Sequence, residues 1–334
     1  MKDLPTIKEI AKKLNVSAST VSRALHDHPS IGLRTKTAVK ELAKQLKYEP
    51  IQTAIFFKER RTYIIGVIVP TLSEDFFAKA VSGIEQIAFE NNFSVFVAQS
   101  HDSLEREHRI IDSFTRRRID GLLVSVSKET KRIDHFNVLK EYKIPVVFFD
   151  RVPNVKDVNK VTCDLYDLSI KLIEVLYKFN HRRIGLLLGP QSITANIERM
   201  KGFINGLAKK RLKANPAYIV ETDFSREQTW KAVDELISQK QRPTAIIAFN
   251  DWVALDAIQF IKTQTNLQLT TDITIASYAN LPFCRYLDSK PVASAEQFPF
   301  RQGEASTRIL LDLIFNYKEE PIQEIIEGEI MIYK

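Results

Sequence analysis

Residues 6–25 read Thr6-Ile-Lys-Glu-Ile-Ala-Lys-Lys-Leu-Asn-Val-Ser-Ala-Ser-Thr-Val-Ser-Arg-Ala-Leu25, two short helical periods with almost no room between them. Ile7, Ile10, Ala11 and Leu14 recur at the spacing of one helix face. Thr6 followed three residues later by Glu9 predicts a capping box, in which hydroxyl and carboxylate each satisfy an orphan backbone N–H. Asn15 tolerates the left-handed conformation that a tight turn needs. Ser17 can then cap a second helix with Val21, Ala24 and Leu25 inward and Ala18, Ser19, Thr20, Ser22 and Arg23 outward. After Gly32 a third helix turns Val39, Leu42, Ala43 and Leu46 inward and Arg34, Lys36, Lys40, Lys44 and Lys47 outward. Three small helices around a few aliphatics, the second carrying short polar side chains, suit insertion into a DNA major groove.

Charge separates this reading from a generic three-helix bundle. Residues 1–61 hold 13 Lys and Arg against 6 Asp and Glu, whereas the remaining 273 residues hold 35 of each. The whole formal charge of +7 therefore sits in the first fifth of the chain. A basic run is often no more than a solvated face. Confined to a module with a groove-sized helix, it is the footprint that phosphate neutralisation requires.

At 334 residues the chain has room for two or three domains. Its two cysteines, Cys163 and Cys284, imply a reducing compartment without structural disulfides. No stretch approaches the ~18 apolar residues of a membrane span, and the N-terminus lacks the apolar run of a signal peptide. The expectation is a cytoplasmic protein with no membrane role.

The segments Thr6-Ile-Lys-Glu-Ile-Ala, Val16-Ser-Ala-Ser-Thr-Val-Ser-Arg-Ala-Leu25 and Tyr48-Glu-Pro50 resemble the headpiece of the LacI/GalR family of bacterial transcription regulators. The resemblance continues through Ile65-Gly-Val-Ile-Val-Pro70, Asp120-Gly-Leu-Leu, Ile144-Pro-Val-Val-Phe-Phe-Asp-Arg151, His181-Arg-Arg-Ile-Gly, Arg199-Met-Lys-Gly-Phe203 and Pro243-Thr-Ala-Ile-Ile-Ala-Phe-Asn-Asp251. It implies a helix-turn-helix headpiece at 1–50, a hinge helix or linker at 51–62 and an effector-binding body at 63–334. It also implies DNA contacts from Thr6, Ser17, Ala18, Ser19, Thr20, Ser22, Arg23 and Thr35. Arg23 is the expected base reader, with Phe57 and Lys58 as the hinge pair at the minor groove. The hinge departs from the family pattern: Ile51 stands where Asn is usual, and Ala54-Ile-Phe-Phe57 replaces Ala-Arg-Ser-Leu. Ile55, Phe56 and Phe57 could instead pack hinge against hinge or against the body. His26 likewise replaces an Asn at the end of the recognition helix.

Beyond residue 62, short β-branched runs alternate with helical stretches. Strand-like runs cover 63–69, 94–98, 121–126, 145–149, 184–188, 219–221, 245–249, 273–277 and 325–333, with helices such as 78–90, 105–116 and 228–238 among them. Nearly continuous apolar strands with intervening helices mean parallel sheets covered on both faces. The number of strands predicts two doubly wound subdomains with a cleft between them. By resemblance this is a periplasmic-binding-protein-like body. Its N-subdomain would span about 63–163 and 294–321, its C-subdomain about 164–291 and 322–334, with crossings near Cys163–Asp164, 291–294 and Pro321.

Ligands of open α/β sheets bind outside the carboxyl ends of the strands. The resemblance places effector contacts there, from Phe76, Phe77, Asp150, Arg151, Arg199, Phe224, Asn250, Asp251 and Gln297. Asp, Asn and Arg suit vicinal hydroxyls, and a flat aromatic suits an apolar sugar or base face. Each also has a structural reading: Asp150 can pair with Arg151, and Phe77 or Phe224 can belong to the core. Two positions depart from the family, Ala279 where an acid is usual and Leu165 where Asn is usual. Loss of the acid points to an effector unlike the commonest hexoses, or to loss of small-molecule response.

Catalytic chemistry has little support. No glycine-rich phosphate loop, nucleophile elbow or metal-spaced Cys/His cluster occurs. Glu105-x-x-His108 has the spacing of half a di-iron motif but stands alone beside Arg106 and Arg109. The expectation is a sequence-specific regulator, not an enzyme, with no cofactor. It would read a pseudo-palindromic double-stranded operator as a homodimer under control of a sugar-like effector. Because no leucine heptad follows 325–333, a dimer is expected rather than a zipper-built tetramer. A sugar-binding protein without a DNA role is the alternative, against which the basic headpiece argues.

Overall fold

The computed structural model describes residues 5–48, 61–316 and 318–333. The chain forms two compact units, Met1–Thr62 and Tyr63–Lys334.

In the first unit, α1 (Ile7–Leu14), α2 (Ala18–Leu25) and α3 (Leu33–Leu46) enclose Ile10, Val21, Ala24 and Val39, all fully buried, with Ala11 and Ala43. Asn15 ends α1 in the left-handed conformation at φ 51°. Only half of the expected capping box forms. Thr6 Oγ1 accepts from Glu9 N at 3.3 Å, but the Glu9 carboxylate turns to Lys13 at 3.4 Å, an i,i+4 pair along the same face.

The body holds two sheets. The first takes β1 (Ile64–Val69), β2 (Ser94–Gln99), β3 (Gly121–Val124), β4 (Val146–Phe149), β5 (Asn159–Cys163) and β11 (Gln323–Ile326), in the order β11-β5-β4-β3-β1-β2 and all parallel. Helices α4 (Asp75–Glu90), α5 (Leu104–Arg116) and α6 (Asn137–Glu141) connect these strands. The second sheet takes β6 (Ile184–Leu188), β7 (Ile219–Glu221), β8 (Ala245–Ile247), β9 (Thr274–Tyr278), β10 (Ala293–Glu296) and β12 (Glu329–Ile332), in the order β12-β10-β9-β8-β6-β7. Only β12, against β10, runs antiparallel. Its helices are α7 (Leu165–Lys178), α8 (Ala195–Lys209), α9 (Arg226–Ile237) and α10 (Asp251–Gln264); α11 (Pro299–Phe315) returns to the first sheet.

Alternation within β1 shows why both faces are covered. Ile65, Val67 and Val69 join the cluster under α4 and α11, while Ile68 points to the cluster under α5 and α6. The second sheet divides likewise, Leu187 and Ile246 to one face and Leu186, Leu188 and Ile247 to the other.

The sequence reading lacks two strands, β5 and β10, and the separation of β11 from β12. Asn-Lys-Val-Thr-Cys and Ala-Ser-Ala-Glu lack the apolar run that marks a buried strand, yet Val161, Ala293 and Ala295 are fully buried. The chain passes between sheets at Asp164. The crossings expected near 291–294 and Pro321 lie instead at Gln297–Phe298 and Glu327–Gly328, because β10 belongs to the second sheet and β11 to the first. Gly328 is needed there: a Cβ would stand 2.6 Å from Leu168 Cδ1 and 2.7 Å from Glu296 O.

Candidate functional site

The headpiece offers a narrower reading surface than its sequence suggests. Ser17 Oγ accepts from Thr20 N at 3.1 Å and lies 2.8 Å from both Ser19 Oγ and Thr20 Oγ1, so Ser17 is occupied in starting the helix. Ala18, expected outside, packs against the headpiece core. The reason is periodicity: Ala18, Val21 and Leu25 share one stripe of the helix. Ser19, Arg23 and His26 form the exposed stripe, with Thr20 and Ser22 half-buried at its margins. Thr6 is exposed and Thr35 half-buried in the first turn of α3. Two lysines of the outward face of α3 are also engaged, Lys36 Nζ donating to Asp27 O at 2.9 Å and Lys40 Nζ to Asp27 Oδ1 at 2.7 Å. That bond holds the Asp27 carboxyl below the usual carboxylate range. Phe57 and Lys58 lie outside the described residues.

In the body, the carboxyl ends of both sheets bring a second group of side chains together. Asp150 and Arg151 follow β4, and Asp150 adopts the left-handed conformation at φ 55°. Arg151 reaches Asp102, beyond β2, at 2.6 Å, and its guanidinium lies 5.4 Å from the centroid of Phe77 and 5.8 Å from that of Phe224. Phe224, after β7 at φ 70°, presses on Gly189 at the end of β6; any Cβ there would meet its ring at 2.5 Å. Arg199, on α8, is buried between aromatic faces, with Cζ 3.9 Å from the Phe249 centroid and 4.2 Å from that of Tyr278. It donates to Phe249 O at 2.8 Å and to Gln297 Oε1 at 3.4 Å, leaving its buried Nε without a partner among the described residues. Bonds between the two sheet systems surround this group: Thr194 Oγ1 to Val152 O at 2.7 Å, Lys128 Nζ to Asp223 O at 3.3 Å, and Ser192 Oγ to Lys128 O.

Electrostatics mark Asp150. Burial pushes its carboxyl up to about 6, against the pull of Arg151, Arg199 and the Ser125 hydroxyl. Burial likewise raises Glu74 and lowers Arg199. A carboxylate held this close to protonation gains from a ligand that donates hydrogen bonds to it.

Several of the expected contacts are engaged within the fold. Phe76 and Phe77 sit in the first turn of α4, edge to face at 5.4 Å and buried in the core of the first sheet. Phe77 also lies against the Arg151 guanidinium. Asp251 is fully buried, and its carboxylate accepts from Leu281 N at 2.6 Å, Ser294 Oγ at 2.9 Å and Ser277 Oγ. Those bonds fasten the turn after β9. Asn250 caps α10 through Oδ1, accepting from Val253 N at 2.9 Å. Ala279, in place of the acid, takes φ 97° and joins the apolar cluster containing Phe76, Phe77 and Leu281. Leu165 packs with the core of the second sheet just after Asp164, which caps α7. Sequence reasoning missed Asp102, Phe249 and Tyr278, although each lies at or just beyond a strand's carboxyl end, where ligands of such sheets gather.

Residues 62–332 match the family model described as periplasmic binding proteins and sugar binding domain of LacI family. Residues 6–50 match that of bacterial regulatory proteins, lacI family. The chain is 29% identical over 322 residues to the HTH-type transcriptional repressor PurR of Haemophilus influenzae (strain PittEE), covering 96% of this chain and 94% of that one. Among solved structures, the lac repressor dimer bound to operator and the anti-inducer ONPF superposes with a TM-score of 0.83 at 21% identity, covering 98% of both chains. The complex of the transcriptional regulator CelR with cellobiose does so with 0.74 at 24% identity, again covering 98% of both.

Proposed function

The chain belongs to the LacI family of bacterial regulatory proteins, and from that premise we propose that it binds a pseudo-palindromic operator as a homodimer under control of a sugar-like effector. It is a DNA-binding transcriptional regulator, not an enzyme. The proposed division of labour assigns 1–50 to the operator, 51–62 to the hinge and 63–334 to the effector. Ser19 and Arg23 read the major groove, with Thr6, Ser17, Thr20, Ser22 and Thr35 near the backbone and Phe57 and Lys58 at the minor groove. No described helix is long and apolar enough to cross a membrane; a DNA-bound regulator works in the cytoplasm.

One observation carries the effector assignment: Arg199 joins Gln297 at 3.4 Å and the Phe249 ring at 3.9 Å, Phe224 packs on that ring at 4.7 Å, and Arg151, next to Asp150, lies 5.8 Å from the Phe224 centroid, all near the carboxyl ends of the strands. Hydrogen-bonding groups of both kinds next to an aromatic face suit a hydroxylated ring. CelR, a protein of the same fold, holds cellobiose. Ala279 removes an acceptor from the family's pattern, so the effector is a sugar or sugar derivative other than plain glucose or galactose. Isothermal titration against sugars, sugar phosphates and nucleobases tests this. The expected result is saturable binding of one class, lost in Arg199→Met; tight binding of glucose or galactose refutes it.

A further inference from the structure

Glu107 lies on α5 with its side chain fully buried, and no lysine or arginine among the described residues pairs with it. A buried carboxylate is costly unless its oxygens are well hydrogen-bonded. Three donors meet that need: Ser127 N, Thr130 Oγ1 and His135 Nε2, each at 2.8 Å. All three belong to one segment, the chain that runs from β3 to α6. The His135 side chain is only 5% exposed, and its ring is stacked on that of His108 with centroids 4.3 Å apart. Phe136 covers the ring as well, again at 4.3 Å. Neighbouring charges pair with one another, Arg132 with Asp134 at 2.7 Å and Arg109 with Glu105 at 2.5 Å. Glu107 and His135 therefore close a clasp on the segment.

The clasped segment is the one that reaches the second sheet's half of the body. Lys128, between Ser127 and Thr130, accepts from Ser192 Oγ through its carbonyl and donates from Nζ to Asp223 O at 3.3 Å. Ser192 precedes α8 and Asp223 follows β7. Residues 127–130 form neither strand nor helix, so side chains fix their shape. Asp102 assists Glu107 by accepting from Lys128 N at 2.9 Å.

We propose that Glu107, clasped by His135, is the positioning residue for this bridge across the cleft, and that its hold on residues 127–130 sets how readily the two halves close on an effector. The inference rests on the cleft being the effector site. Without the clasp, Lys128 loses its register with Ser192 and Asp223, and closure must order residues 127–130 each time. The effector then binds more weakly and shifts operator affinity less.

Amide hydrogen exchange on the full chain, free of ligand, tests the bridge. Glu107→Met keeps the side chain's length but removes every acceptor. Exchange at Ser127 and Lys128 should quicken at least about tenfold, and at Ile193 and Asn196 across the cleft at least about threefold, while the amides of β6 stay within about twofold. Ile193 N donates to Pro190 O and Asn196 N to Ile193 O, so neither amide bonds to the clasp. Glu107→Gln should restore most of the protection, because its amide can accept from Ser127 N and donate to Thr130 and to the other tautomer of His135. Ser192→Ala should quicken Ile193 and Asn196 but not Ser127, and adding it to Glu107→Met should quicken them no further. If Glu107→Met does not fold, Thr130→Val, which removes one donor, carries the same comparison, with Thr130→Ser as the rescue. Quickening confined to 125–135 or equal at every amide, additivity in the double variant, or no rescue by the conservative variant overturns the proposal. Should exchange spread across the cleft while no compound of the effector panel alters operator affinity of wild type, the clasp stands and the effector reading falls. Should a compound shift operator affinity equally in wild type and Glu107→Met, the effector reading stands and the clasp's part in regulation falls.

Discussion

Asp150→Asn isolates the cost of holding a carboxylate in the crowded cleft. The surroundings raise its pKa from 3.8 to about 6. Each unit corresponds to about 1.4 kcal/mol, so the ionised side chain costs the folded body on the order of 3 kcal/mol relative to the protonated one. The folded state binds the extra proton between the two values. Stability contributed by the protonated group is therefore present below about pH 4 and lost as pH rises through about 6. Asparagine matches the protonated acid in shape and tolerates the left-handed backbone at φ 55°. The variant should exceed wild type by about 3 kcal/mol near pH 8, by about 1 kcal/mol near pH 4.5, and converge below that. At roughly 2–4 °C per kcal/mol, Tm near pH 8 rises by about 6–12 °C. Calorimetric melts across this pH range read the gap directly. A variant no more stable than wild type near pH 8, or a gap independent of pH, would refute the reasoning. The same substitution should weaken effector binding, since a charge-assisted hydrogen bond worth about 1.5–3 kcal/mol becomes a neutral one.

Asp251→Ala should act oppositely, leaving Leu281 N and the Ser277 and Ser294 hydroxyls without their buried acceptor at a cost of about 3–5 kcal/mol; a Tm within a degree or so of wild type would return Asp251 to the effector set. Arg23→Ala should lower operator affinity by about 1–3 kcal/mol and relax selection at one base pair per half-site, read by footprinting, whereas Ala18→Gly should change the headpiece melt more than the footprint. Gly189→Ala drives a methyl into the Phe224 ring and should reduce effector affinity with the headpiece's DNA binding unchanged; unaltered effector titration would remove Phe224 from the site.

The headpiece was legible because helix caps and a strict apolar stripe lie within a few residues of one another. Ala18 was misplaced since its small side chain satisfies either face, and only its alignment with Val21 and Leu25 decides the matter. Strands with uniformly apolar sequence, such as Ile64–Val69, could be read directly. β5 and β10 could not, because small or alternating polar residues build them and the neighbouring strands supply the burial. In the cleft, Asp150, Arg199 and Gln297 stood out as polar residues ending strands or matching the family pattern. Asp251 looked equally eligible until Ser277, Leu281 and Ser294 converged on it from segments far apart in sequence. Asp102 escaped notice because its link to Arg151 spans 49 residues.

The central claim is that events in the cleft govern sequence-specific DNA binding. The direct measurement is fluorescence anisotropy of a duplex that the full chain selects from a random library, titrated in the presence of each compound of the effector panel. The account predicts selection of a pseudo-palindrome and one compound class that shifts its affinity by on the order of 5–150-fold, a shift that Arg199→Met abolishes. A selected duplex bound no more tightly than random DNA, or an affinity that no compound alters, would contradict it.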